Sequence, residues 1–111
     1  MMDDKFFNKE ELRDKVVGIE YSNKYSVVKN IDGGYHLVNK SLIKWYDELR
    51  EEGFIFLRNN YLANTKYIKK FFGRESNKKY ASMADGSIIV IPKGKYKMIL
   101  HEYNLFADCN N

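Results

Sequence analysis

The sequence predicts a mainly β, β-rich α+β domain: stacked antiparallel sheets of short strands, with one central helix and a short C-terminal helix. Three observations carry this. Nine Tyr and seven Phe against a single Pro favour pleated strands. Short apolar or alternating runs recur between Asn, Gly and Ser turns. Helical periodicity surfaces once in the interior and once near the C-terminus. At 111 residues the chain is one domain, with no repeat, low-complexity stretch or Pro/Gly/Ser linker dividing it.

Residues 1–13 read as an N-terminal segment. Phe6 and Phe7 form an aromatic pair, and Asn8 followed by Glu11 has capping-box spacing, so a helical turn and a short strand both fit. Val16 to Tyr21 and Tyr25 to Lys29 are strands joined by a Ser22-Asn23-Lys24 hairpin loop. Ile31-Asp32-Gly33-Gly34 turns the chain into a third strand, Tyr35 to Val38. Ser41 caps a helix that places Leu42, Trp45 and Leu49 on one face, and Gly53 ends it. The acidic pair Glu51-Glu52 near its C-terminus opposes the helix dipole. Strands resume at Phe54 to Arg58, Tyr67 to Phe72, Lys79 to Met83 and Ile88 to Ile91. Gly73 to Lys78 forms a polar turn and Ala84 to Ser87 a hairpin turn. Pro92 ends the last strand because it cannot donate to a ladder. Lys95 to Phe106 is a terminal helix with Tyr96, Ile99, Leu100 and Tyr103 on one face.

The net charge of +4 is unevenly spread. Residues 1–53 hold nine Lys/Arg against eleven Asp/Glu, net −2, whereas residues 54–111 hold ten against four, net +6. A polyanion-binding face needs such concentration, and ordinary solubilising lysine fits the same numbers. Cys109 is alone, so no internal disulfide forms, and His36 and His101 are isolated. No carboxylate pair, nucleophile elbow, phosphate-cradling Gly-rich loop or metal-ligand cluster is present. Asp32-Gly33-Gly34 and Asp85-Gly86 read as turns. The expectation is no enzyme, no cofactor, no metal and no small-molecule substrate. The acidic N-terminus lacks a signal-peptide core, and the apolar runs Phe54 to Leu57 and Ile88 to Ile91 fall far short of the ~20 residues that span a membrane. A soluble, cytoplasmic protein without membrane contact is expected.

Four landmarks, in order, resemble a known family. They are Asp14 with Val16 and Ile19-Glu20; Ser41-Leu42 through Leu49; Phe54-Ile55-Phe56-Leu57-Arg58-Asn59-Asn60-Tyr61-Leu62-Ala63-Asn64 with Ile68 following; and Asp85-Gly86, Ile91 and Lys93-Gly94-Lys95-Tyr96-Lys97. From Asp14 onward the chain resembles LytTR (LytR/AlgR-type) DNA-binding domains, giving a domain over 14–107 and a C-terminal tail over 108–111. Phe56 stands where the family has Arg, Arg58 where it has His, Asn59-Asn60 for Arg-Ser, and Lys93-Gly94 for Ser-Arg. The part before Asp14 is shorter than the family's opening hairpin, which leaves its first strand missing or truncated.

The resemblance implies a transcription regulator, free-standing or an excised output domain, that reads double-stranded DNA with loops. A second copy of the chain would occupy a repeated half-site. Carried over by position, the loops are Lys24-Tyr25-Ser26, Arg58-Asn59-Asn60 and Lys93-Gly94-Lys95, with Lys97 close behind. The DNA-binding candidates are therefore Lys24, Ser26, Arg58, Asn59, Asn60, Lys93, Lys95 and Lys97. The chemistry fits: an Asn amide pairs bidentately with adenine, and loop lysines neutralise phosphates. Each also has a structural reading. Asn59-Asn60 is a common turn composition, and Arg58, in alternation with Phe54 and Phe56, fits an internal pair. Lys93, Lys95 and Lys97 fit a solvated helix start, yet cations there oppose the dipole unless a phosphate answers them. Asn64 reads as an Asx turn, Tyr25 and Tyr96 as packing residues and Trp45 as core. Two other function classes compete. One is a protein-interaction module on the same scaffold that modulates another regulator. The other is a single-strand or RNA binder using the many tyrosines and phenylalanines as stacking platforms, although most of them sit at positions facing a core.

Overall fold

The computed structural model describes residues 8–73 and 78–109. The Phe6–Phe7 pair, most of the expected Gly73 to Lys78 turn and the end of the C-terminal tail lie outside the described residues. The described residues open with helix α1, Lys9–Lys15, so the expected helical turn after Asn8 forms. Asn8 accepts from the Glu11 amide at 2.8 Å, and Glu10 and Glu11 in the first turn with Arg13 and Lys15 in the last suit the dipole. Over Lys9–Lys15 the helix takes the place of the alternative strand, and its Leu12 is buried in the core. Asp14 sits in the last turn of this helix, two residues ahead of the first strand.

Strands β1 (Val16–Ser22), β2 (Tyr25–Asn30) and β3 (Tyr35–Val38) follow. Helix α2 (Leu42–Leu49) is capped by Ser41, continues as a 3-10 turn over Arg50–Glu52 and stops at Gly53, whose φ of 98° no branched residue adopts easily. Next come β4 (Phe54–Arg58), β5 (Tyr61–Asn64), a 3-10 turn over Thr65–Tyr67, β6 (Ile68–Gly73), β7 (Lys79–Met83), β8 (Ile88–Ile91) and α3 (Tyr96–Cys109). Strand β5 has no counterpart among the elements expected from periodicity.

Two antiparallel sheets form. The larger has the order β3-β2-β1-β5-β4 and the smaller β6-β7-β8. The larger sheet is the middle layer of three. On one face Val16, Ile19, Val28, Val38, Phe54 and Leu62 pack with Leu12 of α1 and with Leu42, Trp45 and Leu49 of α2. On the other, Val17, Ile55, Leu57, Tyr61 and Ala63 pack against the smaller sheet and Ile99 of α3. Strands β1, β4 and β5 are thus covered on both sides, so their sequences run apolar without alternation. Strand β3, an edge covered on one side, alternates: Val38 is buried while Tyr35 and Leu37 are exposed. Gly18 in β1 is required by a close approach, since a Cβ there would stand 2.3 Å from the Tyr61 hydroxyl oxygen.

Candidate nucleic-acid interface

The strand order decides which connections meet. Antiparallel pairing of β1 with β5 puts Glu20 opposite Tyr61, and the Tyr21 amide donates to the Asn60 carbonyl at 3.0 Å. The β1–β2 and β4–β5 turns therefore share one end of the larger sheet. Pairing of Ser26 with Val38 brings the β3–α2 connection to the same end. The β8–α3 connection joins them: Arg58 and Asn59 line one cleft of about 490 Å³ with Pro92, Lys95 and Met98. All three sequence-predicted loops converge there.

The β1–β2 turn is a two-residue reversal with positive φ at both centres, Asn23 at 49° and Lys24 at 74°. That geometry matches the strand twist and favours glycine at its second position. Every other positive φ among the described residues belongs to glycine. Lys24 thus holds a left-handed conformation that costs a side-chain-bearing residue roughly 1–2 kcal/mol. Its exposed ammonium is carried at a position where glycine would relax the backbone.

A register shift between Phe56 and Arg58 breaks the alternation that the sequence implies. Arg58 consequently leaves the Phe54–Phe56 face and is exposed, with no ion pair among the described residues. Asn59 is exposed and Asn60 half-buried in the two-residue β4–β5 turn. The Asn60 side-chain oxygen is out of contact with solvent and meets no donor among the described residues. In the β8–α3 connection Gly94 has a φ of 86°, the Lys95 amide closes the turn onto the Pro92 carbonyl at 3.1 Å, and Lys93, Lys95 and Lys97 are exposed.

Ser26 departs from expectation. It is fully buried, and its hydroxyl donates to the Lys40 carbonyl, tying β2 to the connection after β3. The cause is the pleat: with Tyr25 outward, Ser26 must point into the layer beneath α2. Ser26 shapes this end of the sheet from inside and presents nothing to a ligand. The neighbouring Lys40 is also committed, pairing with Glu48 and lying 4.0 Å from the Trp45 ring centroid.

Apart from Lys40, five cations at or beside the candidate loops stand without a carboxylate among the described residues. Lys24, Arg58, Lys93, Lys95 and Lys97 enter no ion pair among the described residues. Neither α2 nor α3, whose N-termini open here, has an acidic residue in its first turn. Unpaired cations, two helix N-termini and an exposed asparagine form a surface suited to a phosphate backbone with base edges beside it.

Sequence reasoning passed over the β3–α2 connection as a fourth member of this cluster. Its signal was Ile43, an apolar residue off the Leu42–Trp45–Leu49 face; it is exposed, as is Tyr21 across from it. Among the described residues no group of three His, Cys, Asp or Glu is placed to hold a metal ion, and no helix is long and apolar enough to cross a membrane.

No family model and no curated protein sequence matches the chain. Among solved structures it is similar to the LytTr DNA-binding domain of a protein from Bacillus cereus described as a methyl-accepting/DNA response regulator. The TM-score is 0.71 at 18% identity, covering 81% of this chain and 82% of that one. At this identity the likeness is one of fold, and the LytTR-like fold expected from the four landmarks is the fold observed.

Proposed function

We propose that the chain binds double-stranded DNA sequence-specifically as a cytoplasmic transcription regulator, reading grooves with loops instead of a recognition helix. The reading is carried by the convergence of the β1–β2, β4–β5 and β8–α3 connections at one end of the sheet, with five cations at or beside them that enter no ion pair among the described residues. A DNA-binding domain of the same fold supports it. Lys24, Lys93, Lys95 and Lys97 neutralise phosphates and set the register of the protein on the duplex. Asn59 pairs with a base edge, adenine being the match for an amide, and Arg58 stands beside it over the cleft to Lys95. Asn60 holds the β4–β5 turn through its backbone. A second copy occupies a repeated half-site.

Selection of duplex oligonucleotides at near-physiological salt tests the reading. A defined motif should emerge, and log affinity should fall linearly with log salt, with a slope of about −0.9 for each phosphate neutralised. A selected pool without a motif defeats the sequence-specific reading. Affinity indifferent to salt defeats the duplex reading and favours the protein-interaction module.

A further inference from the structure

The β3–α2 connection presents chemistry that phosphate contact leaves unexplained. Ile43, at the second position of α2, is 63% exposed. A β-branched residue there lowers helix propensity and gains no core packing in return. With Tyr21, 39% exposed, and with Leu42 and Phe56 it gives the apolar lining of a cleft of about 340 Å³ that Asn59 and Asn60 also line. Asn59 also lines the cleft to Lys95, so the two depressions adjoin across the β4–β5 turn.

Phosphates, sugars and most base edges offer polar groups or charge. The apolar projection into the major groove is the thymine 5-methyl group. An alkyl side chain beside base-reading amides, on the end of the molecule that faces the duplex, gains by covering that methyl and little else. Resting on the duplex reading above, we propose that Ile43, backed by Tyr21, is a specificity-determining contact for a thymine methyl beside the base read by Asn59.

The test replaces each thymine of the selected duplex by deoxyuridine, one at a time, and measures Kd for the wild type and for Ile43→Ala. One position should lose about fourfold with the wild type, the ratio that burial of a single methyl group yields. Ile43→Ala should lose a similar factor on the thymine duplex and become indifferent to deoxyuridine at that position alone. Its melting temperature should not fall, because the side chain is exposed and alanine favours the helix. If Ile43→Ala keeps the full deoxyuridine response everywhere, or if no thymine responds in the wild type, the Ile43 assignment is overturned while motif preference and salt dependence leave the duplex reading standing. If the wild type prefers no duplex, both fail together.

Discussion

The two ends of the five-stranded sheet use charge in opposite ways. At the far end, where β1 begins and β5 finishes, charges are answered within the protein. Arg13 lies 3.3 Å from Asp14 and 3.7 Å from Glu52, and Lys66 lies 3.5 Å from Asp14. The hydrogen bond from Arg13, with the positive charge of Arg13 and Lys66, holds the Asp14 carboxyl below its ordinary range. Asn64 there is spent inside the fold, donating to the Arg13 and Val16 carbonyls at 2.7 and 2.8 Å and accepting from the Lys66 amide at 3.1 Å. At the near end Lys24, Arg58, Lys93, Lys95 and Lys97 pair with no carboxylate among the described residues, Asn59 faces solvent, and one turn keeps a lysine in glycine's conformation. The far end is finished by folding. The near end leaves these exposed cations without a carboxylate among the described residues.

The sharpest way to break this contrast is to exchange asparagine for alanine at each end. Asn64→Ala should destabilise the fold by about 2–4 kcal/mol in urea unfolding, since it strips partners from buried backbone groups, while the folded fraction keeps its DNA affinity. Asn59→Ala should leave the unfolding midpoint unchanged, relax base preference and weaken the selected duplex by roughly 1–3 kcal/mol. Equal loss of stability in both variants would dissolve the distinction between the ends.

Charge removal sharpens it further. Lys93→Ala with Lys95→Ala should weaken all duplexes alike and reduce the salt slope by about 2, read by fluorescence anisotropy across a salt series. Lys24→Gly should raise stability by about 1 kcal/mol, releasing the left-handed strain, and lower duplex affinity in the same variant. Opposite signs in the two assays are the expected signature. A loss in both would mean that Lys24 serves the fold.

The smallest effect lies away from both ends, in α3. Burial, opposed by His101, raises the Glu102 carboxyl above its ordinary range. A raised carboxyl in the folded state favours the fold below the unfolded pKa and loses that advantage as pH rises through the folded value. Glu102→Gln should therefore melt slightly higher than the wild type at pH 7, with the difference vanishing below pH about 4. Melting curves at the two pH values decide it.

Much of the fold was legible because local chemistry writes it. Asn8 and Ser41 cap helices where their side chains meet the third amide onward, Gly53 ends α2, and Asp85-Gly86 reverses the chain. Asn64, read as an Asx turn, makes that turn and two longer bonds besides. The candidate site was legible as three loops, through the order of the family-like landmarks, although nothing in their sequence brings them together. Strand β5 was not legible. Its four residues, buried on both faces, have no period, and their partners in β1 lie some forty positions away. Ser26 looked like a loop residue because its burial depends on which side of the pleat α2 covers.

The sequence by itself determined where elements start and stop, since caps, glycines and turn pairs act within three or four residues. Only the tertiary structure decided that β5 slips between β1 and β4, that four connections therefore share one end, and that Ser26 faces inward while Ile43 faces out. Those outcomes depend on pairing between distant strands and on layer packing, which no local pattern encodes.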